Sequence, residues 1–216
     1  MTVVFLHAFP LDERMWPAHT NAPRLYDLGA TMDDWADAVL EAYAGRLILV
    51  GASMGGYAAL AAARRAPDRL AGLLLVGSRP EPDTPERHAK RAETIGIARE
   101  RGAEGIWEAM RESLFGEHSD AAVVARAREL ALDRTEDELV TALRAIRDRH
   151  DSTAAYRALG ERALTMVGDR DPFVPVEDAL VFEPRAVVLP ECGHLASLER
   201  PAEFGQVVDD VVARWT

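Results

Sequence analysis

Five short runs of this chain are apolar almost throughout: Val3 to Leu6, Leu47 to Val50, Leu73 to Val76, Ala163 to Val167 and Ala186 to Leu189. A strand that is apolar on both faces needs cover on both, which suits a parallel sheet between two layers of helices. A sixth run, Arg24 to Leu28, is weaker. Helical patterns fill the intervals, at Met32 to Tyr43 and Gly55 to Arg65. The pattern is clearest at the last one. Pro201 stands where a first helical turn tolerates proline. Phe204, Val207, Val208, Val211, Val212 and Trp215 then share one face. The alternation predicts an α/β protein with a mainly parallel sheet of about six strands flanked by helices.

The alternation breaks between Pro80 and Gly160, where helical segments replace strands. Ile106, Trp107, Met110 and Leu114 form one apolar stripe, and Leu139, Ala142, Leu143 and Ile146 another. Eighty helical residues between two strands of a parallel sheet predict a cap over the sheet's C-terminal edge, where ligands bind in open α/β sheets. The expected organisation is a core of residues 1–79 and 161–216 with a cap of residues 80–160 inserted in it. At 216 residues the chain has room for one well-filled core.

The segment Leu47-Ile48-Leu49-Val50-Gly51-Ala52-Ser53-Met54-Gly55-Gly56-Tyr57 is an apolar strand, then G-x-S-x-G, then an alanine-rich helix. A serine hydroxyl is a poor nucleophile until it is lifted clear of the sheet and paired with a base. A strand turning straight into a helix does the lifting, and Gly51 and Gly55 remove the Cβ atoms that the sharp turn would crowd. The helix N-terminus adds free N–H groups suited to negative charge. Ser53 is the candidate nucleophile. The backbone N–H of Met54, next in the chain, is a candidate donor to an oxyanion.

Six histidines could serve as the base. His88, His118 and His150 lie in polar helical segments and are expected at the surface, and His19 lies in a loop with no strand before it. His7 follows the first strand. His194 follows the last strand and the turn Pro190-Glu191-Cys192-Gly193, which puts it at the sheet's C-terminal edge. Two acids, Asp169 and Asp171, follow the strand Ala163 to Val167, and either could orient an imidazole.

Three further segments join the serine turn in a pattern. Leu6-His7-Ala8-Phe9-Pro10-Leu11-Asp12 resembles the His-Gly-x-Pro segment of the α/β-hydrolase superfamily. Gly168-Asp169-Arg170-Asp171-Pro172 resembles its acid loop, and Gly193-His194 its histidine loop. The resemblance extends over nearly the whole chain and keeps the order Ser, Asp, His. It implies an α/β-hydrolase fold with a helical cap, in which Ser53, Asp171 and His194 form the catalytic triad. It also implies that His7 shapes its loop and that Phe9 supplies the second oxyanion N–H. Two departures stand out. Ala8 occupies a position that is usually glycine, which matters if that position needs positive φ. The chain also opens directly on the strand before the His7 loop, where the family has two strands first.

The resemblance is strongest to small carboxylesterases and enol-lactonase-like members. It implies cofactor-independent hydrolysis of a small carboxylic ester or lactone through an acyl-enzyme. The alternatives are perhydrolase or cofactor-free haloperoxidase chemistry on the same triad, and a non-catalytic ligand receptor on the same fold. Trp16, Trp107, Phe173 and Leu195 are candidates for the substrate pocket, although each could equally be core. No cluster has metal-ligand spacing and no G-x-G-x-x-G is present, so neither metal nor cofactor is expected.

A formal charge of −11 disfavours binding to nucleic acid or to anionic membranes. No apolar run approaches the ~20 residues of a membrane span, and Met1 to Leu6 does not read as a signal peptide. With Cys192 as its sole cysteine the chain can form no internal disulfide, and a cytoplasmic location is the expectation. The oligomeric state is not legible.

Overall fold

The computed structural model describes residues 1–16, 21–116 and 119–216. Five parallel strands form one sheet in the order β1 (Thr2–Leu6), β2 (Leu47–Ala52), β3 (Leu70–Val76), β4 (Ala163–Gly168), β5 (Val187–Leu189). Every strand therefore lies beside its neighbour in sequence. The register sets Val4 opposite Leu49, Leu49 opposite Leu73, and Leu75 opposite Thr165.

The period of two along each strand sorts the apolar side chains into two cores. Val4, Leu6, Leu47, Leu49, Leu73 and Leu75 point to one face, covered by α1 (Met32–Ala42) and α2 (Met54–Arg65). Phe5, Ile48, Val50, Leu74 and Val76 point to the other, covered by the C-terminal helix α9 (Pro201–Trp215). Each such side chain contributes about 1.5–3 kcal/mol by leaving water. In α9, Phe204, Val208, Val211 and Trp215 are buried, as the stripe predicts, and the Trp215 indole donates to Glu161 O at 2.9 Å.

The sixth strand expected at Arg24 to Leu28 is not one. Leu25–Asp27 is a single 3-10 turn, so the described sheet has five strands. Polar bonds decide the matter: the Leu25 N–H donates to His7 Nε2 at 2.9 Å, and Arg24 pairs with Asp27 across the turn. A backbone donor spent on a side chain is lost to a ladder.

Between β3 and β4 run α3 (Pro85–Leu114), α4 (Ala121–Leu132), α5 (Glu136–Arg147) and α6 (Thr153–Leu159). α3 breaks at Gly102, whose φ of 58° and ψ of −150° suit only glycine. Thr135 and Glu138 form a capping box at the start of α5. Two short helices complete the chain, α7 (Val176–Phe182) and α8 (Ala196–Glu199). No helix among the described residues is long and apolar enough to cross a membrane.

Candidate active site

Ser53 sits between β2 and α2 with φ 48° and ψ −111°, a conformation costing a non-glycine residue about 1–3 kcal/mol. Its surroundings over-determine it. The Ser53 N–H donates to Val76 O at 2.8 Å, and its carbonyl accepts from Gly56 N at 2.9 Å and Ser78 Oγ at 2.9 Å. The glycines are required by space. A Cβ on Gly51 would lie 2.5 Å from Gly55 O, and one on Gly55 would lie 2.1 Å from Leu6 O. The second approach also seats the loop after β1 against the serine turn.

His194 and Asp171 meet at the same end of the sheet, with His194 Nδ1 2.8 Å from Asp171 Oδ2 and both side chains buried. Asp171 Oδ1 accepts the N–H groups of Phe173 at 2.8 Å and Val174 at 3.1 Å. Both oxygens of the carboxylate thus act as acceptors, so Nδ1 carries a hydrogen, and in the neutral ring Nε2 then holds the lone pair. Gly77, the residue after Val76, has φ 58°, and a Cβ there would lie 2.9 Å from His194 Nδ1. The serine turn and the His–Asp pair therefore flank the end of β3. Asp169 does something different: its Oδ1 accepts the Cys192 N–H at 3.1 Å and braces the histidine loop.

His7 is buried among polar contacts, its Nε2 accepting from Leu25 N and its Nδ1 3.2 Å from Ala8 O. Burial pushes its pKa down to about 4, so the ring is neutral at pH 7. Ala8 is not among the described residues with positive φ, so alanine fits there without strain. Phe9 and Met54 are both buried beside the serine turn's core. His88 and His150 are exposed, whereas His19 and His118 lie outside the described residues.

Of the candidate pocket residues, Phe173 is at the site. Its ring leans on His194 with centroids 4.6 Å apart, and it lines a cavity of about 260 Å³ with Tyr57 and Pro172. The other three are packed in the core. Trp16 stacks on Phe204 at 5.6 Å, Trp107 meets Phe115 edge-on at 6.2 Å, and Leu195 is buried in the same cluster. Cys192 is buried too, and burial, then the charge of Glu199, pushes its thiol up to about 12. Among the described residues no group of His, Cys, Asp and Glu could hold a metal ion.

Sequence reasoning missed Glu199. Its Oε2 accepts from Gly193 N at 3.0 Å, Gly116 N at 2.8 Å and Ser119 Oγ at 2.6 Å, and its Oε1 from Leu195 N at 3.1 Å. One carboxylate therefore ties both neighbours of His194 to the loop after α3. The His194 N–H adds a bond to Leu114 O at 3.1 Å. The spacing Gly193-His194-x-x-x-x-Glu199-x-Pro201 was the available signal.

The model of an alpha/beta hydrolase family matches residues 3–207. An esterase from Thermogutta terrifontis, solved with malate bound, is similar over 100% of this chain and 90% of its own, at 30% identity and a TM-score of 0.90. The enol-lactonase of Burkholderia xenovorans shares the fold over 98% of this chain and 91% of its own, at 18% identity and a TM-score of 0.78. The pimeloyl-[acyl-carrier protein] methyl ester esterase of Aromatoleum aromaticum is 30% identical over 36% of this chain, a match that spans 37% of that protein. With a family model matched from the first strand into the last helix, this chain belongs to the alpha/beta hydrolase family.

Proposed function

We propose that this hydrolase cleaves a small carboxylic ester or lactone through an acyl-enzyme on Ser53. The observation that carries the reading is the buried Asp171–His194 pair at 2.8 Å, flanking with the strained Ser53 turn the end of one strand. That the similar T. terrifontis and A. aromaticum proteins are esterases supports the substrate class.

In this reading His194 Nε2 takes the proton of Ser53 Oγ as the oxygen attacks the ester carbonyl carbon. The carbonyl π electrons move to oxygen, and the N–H groups of Met54 and Phe9 hold the resulting oxyanion. When the tetrahedral adduct collapses, the C–O bond to the alcohol breaks and the departing oxygen takes the proton from His194. Water then attacks the acyl-enzyme, giving its proton to His194, and Ser53 leaves with that proton as the acid forms. Asp171 keeps Nδ1–H pointed at itself and stabilises the transient imidazolium. Segment 80–160 acts as the cap, and its junction with the histidine loop at Leu114 and Gly116 supports that role.

Hydrolysis of p-nitrophenyl acetate, butyrate and octanoate by wild type and Ser53→Ala tests the proposal. Wild type should turn over at least one ester, and Ser53→Ala should lose about a thousandfold or more in kcat. Equal turnover by the two proteins would overturn it.

A further inference from the structure

The 260 Å³ cavity beside the reacting groups has an unusual lining. Tyr57, one helical turn after Ser53, and Phe173, against His194, belong to the site. Arg87, Lys90, Arg91 and Ser113 come from α3. Among the described residues the charged members of that lining are all basic, in a chain of formal charge −11. Lys90 is the chain's sole lysine.

Arginines around it are matched with acids. Arg79 pairs with Asp178 at 3.1 Å, and Asp83 is shared by Arg91 at 3.2 Å and Arg149 at 2.7 Å. Arg87 and Lys90 have no ion pair among the described residues, and the neighbouring carboxylate, Asp83, is already taken twice. Arg87 is also half-buried. Burial first, then the charge of Arg79, pushes its guanidinium below the ordinary range, with Tyr57 and Asp83 opposing. It stands in the first turn of α3, where the helix dipole disfavours a cation. Local stability therefore does not account for a guanidinium there.

We infer that the esters this protein cleaves carry a second, anionic group, a carboxylate that docks on Arg87 beside Lys90 while the ester carbonyl lies at Ser53. The inference rests on the esterase reading above and names its substrate class. A guanidinium matches a carboxylate bidentately. An ammonium at the rim draws anions toward the cavity in a chain whose net charge is negative.

The experiment compares monomethyl succinate, glutarate and adipate with the methyl esters of unbranched fatty acids of the same carbon count. The readout is the ratio of kcat/KM for the charged ester to that for the neutral one. Wild type should favour at least one charged ester, and Arg87→Ala should lower the ratio by about 10- to 100-fold, the worth of a charge-assisted hydrogen bond. Arg87→Glu should lower it further, Arg87→Lys should keep part of it, and added salt should lower it in wild type. A ratio below one in wild type, or one indifferent to all three variants, overturns the inference and leaves the esterase reading standing. Calorimetric titration of Ser53→Ala with glutarate separates the two claims. Salt-sensitive binding abolished by adding Arg87→Ala, together with a wild type that turns over none of the esters, would uphold the anion site and overturn the esterase reading. Neither turnover nor binding would overturn both.

Discussion

Strands β2, β3 and β4 bury every residue they contain, while α3, 30 residues long, buries six. The sheet is held by apolar area, and Thr165 is the one polar side chain in those three strands. The segment between β3 and β4 shares that apolar packing, through Ile106 and Leu143 on one face and Leu114 and Leu130 on the other, and adds buried ion pairs. Asp83 and Arg149 clasp its two ends at 2.7 Å, with side chains 1% and 4% exposed. Arg134, at the turn between α4 and α5, reaches Asp12 in the loop after β1 at 2.7 Å, and Glu138 pairs with Arg24. The contrast teaches where each region is vulnerable. Apolar packing fails by losing volume, whereas a buried ion pair fails when one partner is removed and the other is left charged.

The largest effect should come from opening the clasp. Asp83→Ala leaves Arg149 buried beside Arg91 with no carboxylate, which should cost about 3–5 kcal/mol in denaturant unfolding. The double variant Asp83→Leu with Arg149→Met should recover most of that loss, because an apolar pair of similar volume replaces the ion pair at little net cost. Hydrogen exchange should show the loss concentrated in α3 to α6, with the amides of β2 and β3 still protected. If exchange rises equally in the sheet, the two regions are one cooperative unit and the contrast fails.

Acid should separate the regions next. His7 has its pKa lowered to about 4 from 6.5, by burial first, with the Ala8 carbonyl and Asp12 opposing and Arg134 and Arg24 assisting. Between those values the unfolded chain binds a proton that the folded protein refuses. Stability from this group is therefore complete above pH 6.5 and falls as pH drops toward 4, by roughly 3 kcal/mol in all. The Asp12 clasp behaves differently. Burial raises its carboxyl pKa, but the hydrogen bonds of Arg14 and the charge of Arg134 outweigh this and hold it below the usual range. Its contribution is full above the ordinary carboxylate pKa and is lost only in stronger acid. Unfolding free energies of wild type and His7→Gln at pH 6.5 and pH 4.5 test this: the wild type should lose stability that the variant keeps. Parallel losses would refute it.

The same contrast explains what could be read from the sequence. Strands β1 to β4 were legible because apolar runs bounded by turn residues repeat on a helical interval. Ser53, Asp171 and His194 could be nominated because each follows a strand end in a recognisable motif, and the fold brings Asp171 and His194 within 2.8 Å of each other. Arg24 to Leu28 misled, since five mixed residues fit a strand or a 3-10 turn equally until the His7 side chain takes the Leu25 N–H. Trp16 was ambiguous for a related reason: an aromatic ring suits a pocket wall or a core, and its stacking on Phe204 arises only in the folded chain. The clasp joins residues 66 apart, and the Glu199 contact with Gly116 joins residues 83 apart. No local pattern encodes such pairs. They exist because the sheet has already brought the two segments together.

The smallest effect, and the one that tests the seam between the regions, should come from Glu199. Its Oε2 serves three donors, Gly193, Gly116 and Ser119, and its Oε1 serves Leu195. Glutamine can offer its oxygen to the first three, but then its NH₂ faces the Leu195 N–H, donor against donor. The residue after His194 loses its anchor, and the imidazole is held less firmly against Asp171. Glu199→Gln should lower kcat for the best p-nitrophenyl ester roughly tenfold, about 1.4 kcal/mol, with KM little changed, because the loss falls on alignment and not on ground-state binding. A residue that merely holds the fold would lower the melting temperature and leave kcat per folded molecule intact. That pattern would make Glu199 a fastener between the two regions and nothing more; the kcat loss would make it the point where the charged insertion sets the geometry of the buried base.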